Sequence, residues 1–257
     1  MKTIVVTNLK GGTGKTTTAV SLAAFLVEKN YKVLLVDLDH KEDATRYIQG
    51  LGDRITIQND FPEVNLFQAT HRDLLKPQSG AEGEAPPPLA EEGATRAPII
   101  DYTIIDTPPE VEEISTQALT LADAVIIPVD GGTASLRIAK QTFDSVPESL
   151  PVWILVTSFR SGTNFGKQML ENLNQTFGGN VFQTQVHYTV HLQESVAQSK
   201  PITKMGKSRG YKDYELITEE LLRRISQVPL RVKTPVAVST NTEGVNLDEF
   251  ADLMQNM

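Results

Sequence analysis

Lys10-Gly11-Gly12-Thr13-Gly14-Lys15-Thr16-Thr17 places three glycines, two lysines and three hydroxyl side chains within eight residues. That combination suits polyphosphate binding. Glycines let the backbone turn tightly and present its N–H groups to phosphate oxygens. A helix opening at the end of the loop adds unpaired N–H groups and the positive end of its dipole. Lys15 is placed to reach the terminal phosphates, and the Thr16 hydroxyl to ligate Mg²⁺. The common pattern G-x-x-x-x-G-K-[ST] requires glycine at position 9, where this chain has Leu9. The loop is instead K-G-G-x-G-K-[ST], a deviant form in which Lys10 brings a second cation.

Two apolar runs end in acids. VLLVDLD (33–39) reaches Asp37 and Asp39, and IIDTPP (104–109) reaches Asp106. In a parallel sheet the C-terminal strand ends face the ligand crevice. Asp106 is therefore the candidate to hold the Mg²⁺ shell. Asp37 is the candidate to support magnesium-bound waters, and Asp39 to orient or activate an attacking water.

These residues need strands that end, and helices that begin, along one edge. Apolar β-branched runs predict strands over 2–7, 32–38, 65–69, 102–106, 124–129, 152–157 and 181–186. Helical spacing predicts helices over 15–29, 112–122, 134–145, 164–177 and 213–225, with Asn30 as a stop residue. Alternating strands and helices imply an α/β fold with a doubly wound, mostly parallel sheet. Residues 76–98, rich in Pro, Gly, Ala and Glu, read as a flexible surface insertion in a domain of residues 1–225. Residues 226–257 read as an extended linker ending in a short acidic helix.

The chain has 257 residues and no cysteine, which excludes disulfides, thiolate zinc sites and protein-ligated iron–sulfur clusters. A reductase built around such a cluster is excluded with them. No apolar run reaches the ~18 residues that span a bilayer, and MKTIVVTNLK lacks the pattern of a signal peptide. Residues 246–257 carry Asp248, Glu249 and Asp252 but no lysine or arginine, unlike a membrane-surface helix. A cytoplasmic chain with no membrane partner is expected.

The motifs at Lys10–Thr17, Asp37–Asp39 and Ile104–Pro109, in that order, resemble the ParA/MinD group of P-loop NTPases of the deviant Walker A type. LADAVIIPV (121–129) is similar to the strand that follows the second switch in that group. Lys200-Pro201-Ile202, Ser208-Arg209-Gly210 and Glu219–Leu222 resemble its closing segment, in the ParA rather than the MinD form. The resemblance implies an ATPase of the short ParA type, without an N-terminal helix-turn-helix domain. It implies an ATP-driven homodimer in which Lys10 reaches the partner's phosphates and Asp39 serves hydrolysis. It further implies non-specific DNA binding at the nucleoid and stimulation by a ParB-like or cargo-adaptor protein. Asp37-Leu38-Asp39-His40-Lys41 departs from the group's usual D-x-D-P-Q. Lys204-Met205-Gly206 departs from its Tyr-Asp-Pro, a segment associated with adenine contacts.

Base identity has one further signal. VTSFR (156–160) replaces the N-K-x-D that guanine recognition needs, which favours ATP. Between 200 and 233, nine lysines and arginines face four acids in a chain of net charge −8. Lys200, Lys204, Lys207, Arg209, Arg223 and Arg224 are the candidate contacts to a DNA backbone, which needs cations but no base readout. Tyr211 and Tyr214 are too few for a single-strand stacking platform. His187 and His191 are four apart, but QVHYTVHL reads as a strand entering a turn, and a structural role is expected for both. A membrane-cycling ATPase and a small-molecule phosphotransferase on the same scaffold are the competing readings.

Overall fold

The computed structural model describes residues 1–39, 44, 46, 55–58, 100–109 and 112–229. Six strands form one sheet: β1 (Lys2–Val6), β2 (Val33–Asp37), β3 (Ile55–Gln58), β4 (Tyr102–Asp106), β5 (Ala124–Val129) and β6 (Val152–Val156). Their spatial order is β3-β2-β4-β1-β5-β6, and every pairing is parallel. The helices are α1 (Lys15–Glu28), α2 (Glu112–Leu121), α3 (Thr133–Ser145), α4 (Asn164–Phe177), α5 (Val190–Ala197) and α6 (Arg209–Ser226). This is the doubly wound α/β fold that the sequence predicts.

Strand alternation divides the core in two. Ile4, Val6, Leu35, Ile104, Ile126 and Leu155 face α1 and α6. Val5, Val36, Ile105, Ile127, Ile154 and Val156 face α2, α3 and α4. With both faces covered, the inner strands are apolar at most positions, which explains their near-continuous runs. Each fully buried Ile or Leu contributes about 1.5–3 kcal/mol, so these strand ends are rigid supports.

The helix ends follow local chemistry. Asn30 stops α1 in the left-handed region (φ 69°), with Asn30 N–H bonded to Val27 O (2.9 Å) and Tyr31 N–H to Leu26 O (3.1 Å). This double bond is a Schellman closure with asparagine in the usual glycine place. α6 starts at Arg209, a turn before the expected 213, because the Ser208 hydroxyl accepts from Tyr211 N–H (3.3 Å).

Three elements differ from expectation. Residues 181–186 are not a strand. Phe182 and Val186 N–H bond to Ile154 and Val156 of β6 (2.9 and 2.8 Å), but Gln183 N–H turns to the Glu220 carboxylate (3.0 Å). Thr184 N–H, the next donor a parallel ladder would have used, goes to the same carboxylate (3.4 Å). α5 forms where β-branched residues suggested a strand, because the Thr189 hydroxyl caps Leu192 N–H (3.2 Å). β3 lies at 55–58, a strand absent from the sequence reading. The expected strand at 65–69, the insertion at 76–98 and the segment from 230 onward lie outside the described residues. Among the described residues no helix is long and apolar enough to cross a membrane.

Candidate functional site

The loop after β1 is shaped by its glycines. Gly12 and Gly14 have φ of 74° and 89°, values that a side chain resists. Gly14 opens α1 with no side-chain cap and no acid in the first turn. α4, α5 and α6 are instead capped by Thr163, Thr189 and Ser208. The first N–H groups of α1 are thus left for a ligand.

Neighbouring strands fix the loop in place. Asn8 donates from Nδ2 to Pro128 O (2.7 Å) and accepts from Lys10 N–H (2.9 Å). The Thr157 hydroxyl, just past β6, donates to Thr13 O (2.8 Å). Lys15 is buried, and its ammonium donates to Lys10 O (3.0 Å), lying against the inside of the loop. Lys10 turns the other way. Its ammonium meets both oxygens of Asp130 (2.9 and 2.7 Å), just after β5, and Ser135 Oγ (2.6 Å), in the first turn of α3.

The predicted acids gather at adjacent strand ends. Asp37 and Asp106 are register partners at the ends of β2 and β4. Asp37 Oδ1 accepts from Asp39 N–H (3.1 Å), which places Asp39 immediately beyond. Asp106 is fully buried, and neither carboxylate oxygen has a hydrogen-bond partner. Burial pushes its pKa up to about 8; Asp37 and Asp39 add to the rise, while the nearby Thr16 hydroxyl and Lys15 oppose it. A buried carboxylate without a partner, beside a hydroxyl and two further acids, fits a hard cation. Mg²⁺ commonly takes one or two carboxylates plus substrate phosphates, so a closed protein cage is not required.

A cleft of about 180 Å³ flanks the loop, lined by Gly14, Thr17, Thr157, Ser158, Tyr188 and Tyr214 among others. Lys204, Met205 and Gly206 do not line it. Thr157 closes the apolar run of β6, so the strand-end reasoning that found Asp106 could have found it too. The cleft wall at Tyr188 carried no sequence signal, because it depends on where α5 begins. Asp130 and Ser135 were also missed; their pairing with Lys10 spans 120 and 125 residues.

The six basic candidates divide. Lys200, Lys204, Lys207 and Arg209 lie exposed along the connection from α5 into α6. Arg223 is exposed in the last turn, about 21 Å away along the helix axis. Arg224 is engaged internally: it pairs with Glu220 (2.7 Å), donates to Gly179 O and Val181 O, and lies over the Phe182 ring. Arg209 also pairs with Asp213 (3.4 Å) and donates to His187 Nε2 (2.9 Å). His187 Nδ1 is 3.0 Å from Asp213, while His191 is exposed on α5. The two histidines therefore have separate surroundings.

Comparison with known proteins agrees with this geometry. Residues 4–202 match the model of the CobQ/CobB/MinD/ParA nucleotide binding domain. The sporulation initiation inhibitor protein Soj of Bacillus subtilis is 30% identical, over 86% of this chain and 98% of its own. The chromosome partitioning protein ParA of Myxococcus xanthus is 34% identical, over 86% of this chain and 88% of its own. The structure of the MinD cell division protein of Aquifex aeolicus, 16% identical, shares the fold with a TM-score of 0.63 over 90% of this chain and 100% of its own. The chain therefore belongs to the ParA family of P-loop ATPases.

Proposed function

We propose that this chain is a partition or cargo-positioning ATPase that dimerises with ATP, holds DNA without regard to sequence, and releases it on hydrolysis. The observation that carries the catalytic part is the uncapped start of α1, whose Lys15 and Thr16 act on the buried Asp106 carboxylate, both oxygens of which lack a partner at hydrogen-bond geometry. One offers donors to an anion, and the other needs a cation. A Mg²⁺-nucleotide supplies both.

In this reading the N–H groups of residues 11–17 cradle the phosphates, and Lys15 neutralises the terminal ones. Thr16 and Asp106 hold Mg²⁺ with Asp37 behind them; when bound, the ion neutralises charge on the phosphate oxygens. Asp39 orients a water toward the terminal phosphorus, whose bond to the ADP oxygen breaks to give ADP and phosphate. The nucleoside end occupies the cleft by Thr157, Tyr188 and Tyr214.

Lys10 serves assembly by reaching the phosphates of a second copy. Lys200, Lys204, Lys207, Arg209 and Arg223 form the DNA footprint. Arg209 and Arg223, about 21 Å apart along α6, match some six base pairs of duplex at ~3.4 Å each. Arg224 belongs to this footprint only in part, since its donors are spent internally. A ParB-like or cargo-adaptor protein accelerates turnover, and the ATPase domain comprises residues 1–225. The names of the Soj and ParA relatives support the partition reading.

The test is phosphate release by the purified chain with ATP, with and without Mg²⁺, and with random-sequence DNA. Magnesium-dependent turnover is expected. Its absence would remove the enzymatic core of the proposal.

A further inference from the structure

We propose that Asp130 and Ser135 form a latch that holds Lys10 in its own subunit, and that exchange of this latch for phosphate sets the threshold for ATP-driven assembly. The inference rests on the assembly role given to Lys10 above. It adds two positioning residues that act through that lysine.

A lysine ammonium has three donors and no acceptor. Lys10 has three acceptors within 3 Å: Asp130 Oδ1 at 2.9 Å, Asp130 Oδ2 at 2.7 Å and Ser135 Oγ at 2.6 Å. Its hydrogen-bonding capacity is therefore used. The Ser135 hydroxyl also donates to Asp130 Oδ1, which closes a triangle. Gly132 N–H donates to the same oxygen (3.3 Å) and holds the carboxylate toward the lysine. Burial alone would raise the Asp130 pKa, but bonds from Lys10, Ser135 and Gly132 outweigh it and hold the acid below the usual carboxylate range. The Asp130 carboxylate thus stays charged throughout the neutral range.

The two lysines of the loop are sorted by this arrangement. The Lys15 ammonium stays under the loop on Lys10 O, while the Lys10 ammonium is drawn out to the β5–α3 connection. Asp130 sits on the short connection after β5 and Ser135 in the first turn of α3, five residues on, and local contacts hold both. Ser135 N–H bonds to Gly132 O (2.9 Å), and Ser135 is fully buried. The latch is a built feature of the fold, whereas a flexible surface pair would share neither of these supports.

Lys10 can reach a phosphate on another subunit only by giving up these bonds. The cost is moderate, because the pair is about a quarter exposed (28% and 26%) and is weakened by water and salt. An incoming phosphate, also anionic and rich in acceptors, replaces what is lost. The exchange is therefore reversible. A dimer opens two such latches, so a change in one enters the assembly constant twice.

The experiment uses the full chain, Asp130→Asn and Ser135→Ala. Each is followed by sedimentation velocity over a range of protein concentrations with saturating ATP. ATP affinity is measured separately by calorimetry on the dilute monomer. Asp130→Asn should lower the protein concentration at half-dimerisation by on the order of tenfold, and Ser135→Ala by less. Monomer ATP affinity should change less than about twofold in both. A residue that merely supported the loop would weaken assembly instead. Unchanged or weakened dimerisation in Asp130→Asn, with wild type dimerising normally, overturns the latch and leaves the proposed function intact. If wild type binds ATP but never dimerises, both the assembly role of Lys10 and the latch are wrong.

Discussion

Asp106 sits directly across from Asp37 in the β2–β4 register, and its own carboxylate is fully buried without a hydrogen-bond partner. A fold keeps such a group when a ligand completes it. Folded Asp106 holds its proton up to about pH 8, and its ordinary value is 3.8. Between those values the folded state binds more protons than the unfolded state, so stability must fall as pH rises through the window. Without magnesium and nucleotide, wild type should therefore lose stability between about pH 5 and 8 more steeply than Asp106→Asn. Denaturant unfolding at several pH values measures both slopes. Equal slopes would show that Asp106 is not the strained group.

Lys15→Ala removes the ammonium on the inside of the loop. ATP affinity should fall at least about tenfold, or ~1.4 kcal/mol, and turnover should vanish. Calorimetric titration and phosphate release test the two parts. Unchanged ATP affinity would sink the phosphate-loop assignment.

Asp39→Ala should separate assembly from chemistry. Asp39 lies beyond the end of β2, held through its N–H to Asp37 Oδ1. The phosphate cradle contains none of its atoms. The mutant should bind ATP as wild type does and accumulate as a dimer on size-exclusion chromatography, with turnover lost. Turnover at the wild-type rate would take Asp39 out of the mechanism.

Arg223 and Arg224 are adjacent in sequence and differ in surroundings. Arg224→Ala leaves the buried Glu220 carboxylate without its guanidinium and uncovers Phe182. It should cost about 2 kcal/mol or more in unfolding stability. Arg223→Ala should leave stability within about 0.5 kcal/mol and lower DNA affinity for every sequence alike. Thermal denaturation of the two variants side by side decides this. Equal stability losses would contradict the division of roles.

Much of the candidate site was legible because it depends on local chemistry. The glycine loop, the acids that end apolar runs, and the strand–helix alternation are written within short windows. Asp106 and Lys15 could be named for that reason. What escaped depends on contacts between distant segments. Asp130 meets Lys10 only because β5 lies beside β1, and no local window contains both residues. The loop at 181–186 has a strand-like sequence, yet between its two bonds to β6 a carboxylate on α6 draws Gln183 and Thr184 away. Arg224 reads as a surface cation until Glu220, one helical turn earlier, turns it inward.

In the proposed function ATP converts this chain into a form that grips DNA by its backbone. Fluorescence anisotropy on two unrelated duplexes, with ATP and with ADP, at several salt concentrations, tests it most directly. Tight binding is expected with ATP, nearly equal for both sequences, and weaker binding with ADP because a monomer presents one footprint instead of two. Affinity should fall steeply with salt as counterions are released, and Arg223→Ala should flatten the log–log slope by roughly one unit per lost phosphate contact. No detectable binding with ATP at low salt, or binding equal in ATP and ADP, would contradict it.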